Sequence, residues 1–344
     1  MARVTVVIPT TGRSHFLNLT LEGLCSQAFK DFEVLLILKA PNANTLATVQ
    51  KFSKLLKIKI LLQKSNSLLG AYNEGINNAT GEIIAFIDDD AVPESNWLSE
   101  HVLSYEIADV SGVTGDVVPT HTKNNILFQS EAASEILRFF NQPKLIATIG
   151  AKLWNRSLKG QENYLVYISK GGYSQKQSLA ACAKKVNSLL YMATNMSIRK
   201  TALKDFLIPT SFTKLGIGFE QVISWHIWKN GQRTIFNPYT KVHHIIHGQT
   251  MSRFLKSKAI SQAYAEEELL FYYLFSREKQ LSIMHRIVSL AHRIMVHIRK
   301  FKGNWKKEWY VMSGIFVGNL LGLTWLISQK NHGSFIPTQS IFLR

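Results

Sequence analysis

The sequence predicts an α/β protein with a mostly parallel sheet, helices on both faces of that sheet, and a helical C-terminal extension. In the first 90 residues, short apolar runs alternate with helix-like stretches, the order typical of doubly wound parallel sheets. From about residue 254 onward the spacing of apolar residues becomes helical. With 344 residues, 46% of them hydrophobic and 18% charged, the chain can form a large core, which excludes a disordered protein.

The predicted elements of the first part follow from these runs. Strands are expected at 4–8, 33–38, 58–62 and 83–87, and helices between them at about 18–29, 43–56 and 68–79. Ligands of such sheets bind beyond the carboxyl ends of the strands. Residues Pro9, Thr10 and Lys39 and the run Asp88 to Asp90 are therefore expected to border one crevice. No secondary structure is predicted for residues 121–190.

Charge and cysteine content limit the class of protein. The net charge is +17, but residues 1–120 carry 9 basic and 13 acidic side chains, whereas residues 121–250 carry 17 basic and 5 acidic ones. The basic part suits an anionic partner. Nucleic-acid binding is one alternative, but no RNP, zinc-finger or helix-turn-helix pattern supports it, so no nucleic acid is predicted as a partner. Cys25 and Cys182 form no disulfide framework or zinc pattern, and the N-terminus enters a strand without a signal peptide; both observations favour the cytoplasm.

Three consecutive aspartates, Asp88-Asp89-Asp90, follow the predicted strand at 83–87. Adjacent carboxylates repel one another unless a cation neutralises them, and hard divalent ions such as Mn²⁺ or Mg²⁺ prefer oxygen ligands. Alternate residues of an extended segment point the same way, so Asp88 and Asp90 can converge on one ion. The alternative is a solvated turn that caps the next helix.

Several segments resemble the opening half of family 2 glycosyltransferases, which have the GT-A fold, a Rossmann-like sheet. The segments are 4–13, 66–75, 79–93 and the strand-like run at 115–119, and they include an Asp-X-Asp pattern. The resemblance implies an inverting glycosyltransferase that uses a nucleotide-diphosphate sugar and Mn²⁺ or Mg²⁺. Residues expected beside the donor are Pro9, Thr10, Thr11, Arg13, Lys39, Tyr72, Asn73, Asp88 and Asp89.

The donor side departs from the family at two positions. Lys39 follows the second strand where the family usually has a base-recognising Asp, and Tyr72 stands where an Arg usually precedes the Asn. Tyr72 either stacks on a base or fills the core, and Lys39 either pairs with phosphate or is a solvated charge. The nucleobase is therefore not predicted.

The second half resembles the family more loosely. The segment 193–200 is similar to the family segment near the acceptor, and spacing from Gly231 places Glu220 at the position of the family's catalytic Asp. The resemblance implies that Glu220 is the general base, with the alternative that it is a first-turn carboxylate favoured by the helix dipole. The non-standard run Phe219-Glu220-Gln221 also suggests a catalytically silent sugar-nucleotide-binding relative.

The same spacing selects a histidine. His244 falls at the family position, which implies a third metal ligand beside Asp88 and Asp90 or a contact to the diphosphate. His243 and His247 are neighbouring alternatives. The predicted domains are then a catalytic domain at 1–253, with a donor and metal half at 1–120 and an acceptor half at 121–253, and a membrane-associating helical region at 254–344.

The C-terminal region contains an apolar stripe beside a basic face. The predicted stripe consists of Ile283, Ile287, Leu290, Ile294, Ile298 and Phe301. Residues 310–327 carry no charge and contain three glycines four residues apart, and this segment either spans a membrane, lies on it or is buried. We expect the enzyme at the cytoplasmic face of a membrane, as a peripheral protein or with a single span, acting on a glycan or lipid-linked acceptor.

Overall fold

The computed structural model describes residues 2–123, 126–129, 156–177, 184–210, 215–247 and 257–332. Cys182 and much of the segment at 121–190 lie outside this part of the chain. The strands are β1 (Val4–Thr10), β2 (Phe32–Leu38), β3 (Ile58–Leu62), β4 (Ile83–Phe86), β5 (Ala91–Pro93), β6 (Val110–Lys123), β7 (Ile126–Gln129), β8 (Val166–Ile168), β9 (Ser174–Lys176), β10 (Val186–Asn187), β11 (Met196–Arg199) and β12 (Arg233–Ile245). The helices are α1 (Ser14–Cys25), α2 (Ala43–Phe52), α3 (Leu68–Asn78), α4 (Trp97–Ser104), α5 (Phe219–Lys229), α6 (Ser257–Phe275) and α7 (Ile283–His332).

The predicted mostly parallel sheet is confirmed. Its main path runs β10-β12-β6-β11-β4-β1-β2-β3, with β5 on β12 and β7 on β6. Strands β1, β2, β3 and β4 are parallel, and β11 is antiparallel to both β4 and β6. Since β11 runs the opposite way, its first residue, Met196, pairs with Phe86 near the end of β4. The segment that precedes β11 therefore lies beside the three aspartates.

Helices cover both faces of the sheet, as predicted. Val6 and Ile8 of β1 face one core with Leu17 and Leu21 of α1, whereas Val7 faces a second core with α3 and α5. Both sides of β1 and β2 are thus buried, which explains why these strands appear as continuous apolar runs. The two cores hold the carboxyl ends of β1 and β4 in fixed positions.

Close packing of α3 on β1 requires a glycine. A Cβ atom at Gly75 would lie 2.5 Å from Val7 Cγ1. We expect Gly75→Ala to lower the free energy of unfolding by about 1 to 3 kcal/mol, because the strand must shift to admit the methyl group. Gly303→Ala is the matched control, since nothing lies within 4 Å of that position. Urea unfolding of both variants tests this, and equal stabilities would contradict the close contact.

Helix α7 folds back on itself. Arg286 and Asn319 are 33 residues apart, about 50 Å along a straight helix, yet the Arg286 guanidinium lies 3.4 Å from Asn319 Oδ1. His297 Nδ1 likewise lies 2.5 Å from Glu308 Oε2. In the sequence, the midpoint of each pair lies beside Gly303, so the chain reverses its direction there. We call residues 283–300 the first arm and residues 305–328 the second arm.

The two arms and α6 form a three-helix bundle. Helix α6 packs along the glycines of the second arm, where added Cβ atoms at Gly314 and Gly318 would lie 2.2 Å from Ser261 O and 2.6 Å from Ala265 O. Arg286 and Arg293 of the first arm pair with acidic residues of α6. The predicted helical extension is therefore present as a folded unit.

Candidate active site

The three aspartates follow β4 at the carboxyl edge of the sheet, where β1 also ends. Asp89 and Asp90 are buried and Asp88 is partly exposed. The side chains separate into two groups, because successive residues of the segment point in different directions. Asp89 faces the loop after β1, whereas Asp88 and Asp90 face β12.

Asp89 is held by the loop between β1 and α1. Its carboxylate accepts a hydrogen bond from the Thr10 hydroxyl and forms an ion pair with Arg13. The Thr20 hydroxyl donates to its backbone carbonyl at 3.0 Å. Arg13 also reaches Asp90, with 3.0 Å between Nη1 and Oδ2. Thr10 and Arg13, expected beside the donor, therefore lie at the edge of the aspartate cluster.

Asp88, Asp90 and His244 form a potential metal centre. Their ligand atoms all lie within 4.8 Å of one another. Burial and the negative charge of Asp90 raise the pKa of Asp88 to about 6. Burial alone would raise the pKa of Asp90 as well, but hydrogen bonds from His244 and His247 lower it. Two carboxylates with one imidazole are a donor set that suits Mn²⁺ and is compatible with Mg²⁺.

Three histidines, His243, His244 and His247, lie at or just after the end of β12, and they do not all contact the same residue. His244 Nε2 lies 3.4 Å from Asp90 Oδ1, and His247 Nε2 lies 2.7 Å from Asp90 Oδ2. His243 points to the other side of β12, where its ring contacts Glu94 at 3.3 Å and Thr120 at 3.2 Å. The geometry thus favours His244 over His243 for the metal cluster and adds His247 as a second contact to Asp90.

Glu220 lies in the first turn of α5, two residues after Gly218, whose φ of 82° is in the left-handed region that favours glycine. The carboxylate accepts a hydrogen bond from the backbone amide of Ala193, next to β11. Burial raises its pKa to about 8, and the nearby negative charge of Asp88 adds to this rise. A carboxyl group with this pKa can accept a proton near neutral pH.

Tyr72 and Lys39 differ in burial. The Tyr72 ring is buried, stacks on Phe219 with 4.9 Å between centroids, and places its hydroxyl 3.4 Å from Asp88 Oδ1. This arrangement favours core filling over stacking on a base. Lys39 is exposed directly after β2, where its backbone amide donates to Thr10 O at 2.9 Å. Thr11 is exposed and Pro9 is partly exposed. The role of Lys39 as a phosphate contact stays a prediction.

Asn73 links two segments behind the cluster. Its side-chain nitrogen donates to Ile208 O, and its oxygen accepts from Ile208 N, both at 2.8 Å. We expect Asn73→Ala to lower stability by about 1 to 3 kcal/mol, because both backbone groups lose a partner. The exposed Asn44→Ala is the control. Thermal unfolding measures the change, and a variant with unaltered stability but weaker nucleotide binding would support the predicted donor contact instead.

Asn195 was not among the predicted site residues, although it lies in the segment 193–200 that resembles a family motif. Its amide is buried and accepts from the Trp97 indole at 2.8 Å and donates to Asp116 O and Thr240 O at 2.8 and 2.9 Å. This one side chain joins α4, β6 and β12 beside the metal cluster. These partners are up to 98 residues away, so only the resemblance of segment 193–200 to a family motif drew attention to it.

The chain was compared with known proteins. The family model described as "Glycosyl transferase family 2" matches residues 5–205. The chondroitin synthase of Escherichia coli is 29% identical over 140 residues, which cover 39% of this chain and 20% of that protein. A Methanococcus voltae protein named dolichyl N-acetyl-alpha-D-glucosaminyl phosphate 3-beta-D-2,3-diacetamido-2,3-dideoxy-beta-D-glucuronosyltransferase is 25% identical over 108 residues, 30% of this chain and 34% of that protein. The matches therefore span a fifth to about a third of these relatives' length.

A solved structure covers more of the chain. The mannosyltransferase PcManGT from Pyrobaculum calidifontis, in complex with GDP-Man and Mn²⁺, superimposes with a TM-score of 0.54 at 13% identity, covering 94% of this chain and 87% of that chain. This similarity confirms the GT-A fold class predicted from the sequence.

Proposed function

Because the chain belongs to glycosyl transferase family 2, we propose that it moves a sugar from a nucleotide-diphosphate donor to an acceptor hydroxyl with inversion at the anomeric carbon. The observation that carries this proposal is the position of Glu220 near Asp88, which in turn lies beside Asp90 and His244 at the carboxyl edge of the sheet. One carboxyl group with a raised pKa therefore adjoins a cluster that can hold a divalent cation. Family membership supports sugar transfer as the reaction, and the stereochemistry, metal and acceptor are part of what we propose.

The proposed reaction is a single displacement. Glu220 takes the proton of the acceptor hydroxyl as that oxygen forms a bond to the anomeric carbon, and the bond from this carbon to the diphosphate oxygen breaks. The nucleoside diphosphate leaves with the electron pair of the broken bond. Asp88, Asp90 and His244 would hold Mn²⁺ or Mg²⁺, which supplies Lewis-acid stabilisation of the leaving diphosphate when bound. We propose that Arg13, which pairs with Asp90, also contacts phosphate oxygens of the donor.

We further propose an anionic, lipid-linked glycan acceptor at the cytoplasmic face of a membrane. Residues 121–250 carry 17 basic and 5 acidic side chains, a composition that favours a phosphate-bearing acceptor. The name of the Methanococcus voltae relative includes a dolichyl phosphate sugar, which supports the same class. In this proposal the catalytic domain is 1–253, with its donor and metal half at 1–120 and its acceptor half at 121–253, and the helical region is 254–344.

A thermal-shift panel of nucleotide-diphosphate sugars, with and without Mn²⁺, tests the proposal. A donor at 100 times its Kd stabilises the folded state by about 2.7 kcal/mol, so one sugar nucleotide should raise Tm in the presence of Mn²⁺. Arbitrary DNA is the control for non-specific binding to a basic protein. A panel in which no nucleotide sugar raises Tm, with or without metal, would contradict the proposal.

A catalytically silent relative is the second candidate, since Phe219-Glu220-Gln221 departs from the family pattern. Such a protein would bind a donor in the same panel. Transfer or hydrolysis of the donor by the unmodified enzyme, absent from Glu220→Gln, distinguishes the two candidates.

A further inference from the structure

The three-helix bundle buries several charged side chains between its helices. Glu268 is fully buried and pairs with Arg286, which is also buried, while Arg293 contacts both Glu268 and Glu267. Asn319 and Tyr173 each donate to Glu268 at 2.9 Å. Arg286 and Arg293 of the first arm are thus turned inward, toward carboxylates of α6, whereas Arg299 is exposed.

Both arms also leave large apolar side chains on the outside, although Val311, Ile315 and Trp325 are buried. The outer side chains are between 46% and 70% exposed. In the first arm they are Ile283, Met284, Ile287, Met295 and Ile298. In the second arm they are Trp309, Phe316, Leu320, Leu323 and Ile327. We call these ten residues the outer face.

The packing of the second arm keeps its outer face where it is. Its glycines lie against α6, and a Cβ at Gly322 would meet Tyr272 at 1.9 Å. The segment Trp305–Ser328 is long and apolar enough to cross a membrane, with a mean hydropathy of 1.6 over its most apolar window, and only a third of that window is buried. The arm cannot rotate its apolar side inward without separating the glycines from α6.

This distribution is the reverse of that expected in water. Burying ion pairs is unfavourable unless they are well partnered, and leaving large apolar side chains in water forfeits the hydrophobic contribution to stability. Contact with hydrocarbon removes the second cost and favours satisfied polar groups inside a helix bundle. A lipid surface is therefore the environment that accounts for both the buried ion pairs and the exposed apolar side chains.

Charge at the end of the hairpin identifies the kind of lipid. Residues 299–307 contain five basic and no acidic side chains. Trp305, Lys306 and Lys307 are exposed there. Basic residues bind anionic headgroups, tryptophan favours the interface, and a strongly basic segment resists transfer across a membrane. We propose that the outer face inserts into one leaflet of an anionic bilayer, with the basic end of the hairpin at the headgroups on the same side as the catalytic domain.

This inference deepens the membrane part of the proposed function but does not depend on the sugar donor. Residues 310–327 were predicted to span a membrane, to lie on it or to be buried, and the proposal gives them one arrangement. The second arm packs on α6 through its glycines and meets lipid through its opposite side, without a span.

Vesicle flotation of the full chain tests the proposal. Vesicles of phosphatidylcholine with 30% phosphatidylglycerol, roughly the anionic content of a charged leaflet, should carry the protein to the top of a gradient, and pure phosphatidylcholine should carry less. The variant Ile287→Gln with Phe316→Gln should bind at least about tenfold less well. Leu55→Gln with Leu62→Gln is the control, because both leucines are exposed beside or on β3, outside the outer face, and this variant should float like the unmodified protein.

Labelling tests the one-leaflet arrangement. Gly303→Cys, with Cys25 and Cys182 changed to Ser, should react with a membrane-impermeant maleimide added outside vesicles that carry the protein. Protection of this cysteine would mean that the hairpin end has crossed the bilayer and would overturn the proposal. The proposal would also be overturned if the outer-face variant floated as well as the unmodified protein, or if the unmodified protein stayed in solution with no lipid bound. It would likewise be overturned if the protein formed a dimer that the same variant separated into monomers. The donor panel is read separately, so failure of one proposal leaves the other measurable.

Discussion

Replacing Glu220 by glutamine is expected to lower kcat by about 10² to 10⁴-fold, because the acceptor hydroxyl loses the group that takes its proton. Glutamine keeps the size of the side chain and its capacity to accept a hydrogen bond from the Ala193 amide. Donor and Mn²⁺ affinity should therefore change little, which separates loss of catalysis from loss of binding. Transfer assays and donor titrations on the same preparation measure the two effects.

The raised pKa of Glu220 also predicts how stability changes. The folded-state pKa of about 8 lies above the ordinary glutamic acid pKa of 4.5, so the folded state binds more protons than the unfolded chain between these two pH values. Stability contributed by this group is then present at low pH and falls as pH rises from about 4.5 to about 8. Glu220→Gln stays neutral and removes this decline, so the variant should be at least as stable as the parent at pH 8.

The same pKa predicts the pH dependence of the reaction. The general base must be ionised, so kcat/KM should rise with pH until Glu220 is deprotonated. A cation beside Asp88 should lower the pH of this limb, because a positive charge favours the ionised carboxylate. Glu220→Asp, which carries the family's carboxylate on a shorter side chain, should keep part of the activity and an acid limb. Full activity in Glu220→Gln, with an unchanged pH profile, would exclude this residue as the base.

The parallel half of the fold was predictable because its strands are buried on both faces. Such strands are continuous apolar runs, and the glycines and caps between them mark the helices, so β1 to β4 and α1 to α3 were found within a few residues apart from the ends of α1 and α2. Strand β11 was not predicted, since four residues from Met196 to Arg199 carry little pattern and pair with β4 and β6, more than 80 residues away.

In the C-terminal region, the periodicity of apolar residues did not predict which side of each helix is buried. The spacing of Ile283, Ile287 and Ile298 identified an apolar stripe, but not whether this stripe faces the inside or the outside of the bundle. Arg286 is buried against its partner Glu268, which lies on another helix. The sequence around Arg286 contains no local signal that predicts this pair. The reversal beside Gly303 was likewise absent from the prediction, because residues 283–332 have helical character throughout.

In the site, the spacing taken from the family resemblance selected one residue where chemistry alone left choices open. Three neighbouring histidines were candidates, and the position of β12 separates them, because alternate residues of a strand face opposite sides. The pairing of Arg13 with Asp89 was not predicted, since an ion pair between residues 76 apart depends on the packing of α1. The sequence therefore predicted the residues of the potential metal centre, but not the ion pair that lies beside it.

Removing the metal cluster is expected to have an effect as large as removing the base. Asp90 is the central residue, because Arg13, His244 and His247 all contact its carboxylate. We expect Asp90→Asn to weaken Mn²⁺ binding by at least about 100-fold, since even residues that only support a metal ligand typically contribute 10- to 100-fold. Transfer should fall by about 10³-fold, as expected when several kcal/mol of leaving-group stabilisation are lost.

His244→Ala and His243→Ala form the matched pair that tests the geometry. The two histidines are adjacent in β12, yet His244 faces Asp90 and His243 faces Glu94. His244→Ala should weaken Mn²⁺ binding, measured by electron paramagnetic resonance of the free ion, and lower kcat, whereas His243→Ala should leave both near the parent values. Equal effects of the two variants would mean that His244 acts only through the packing of β12, and Mn²⁺ binding unchanged in both His244→Ala and Asp90→Asn would place the cation elsewhere. A selective loss in His244→Ala requires the imidazole itself, because the neighbouring substitution removes the same number of atoms from the same strand.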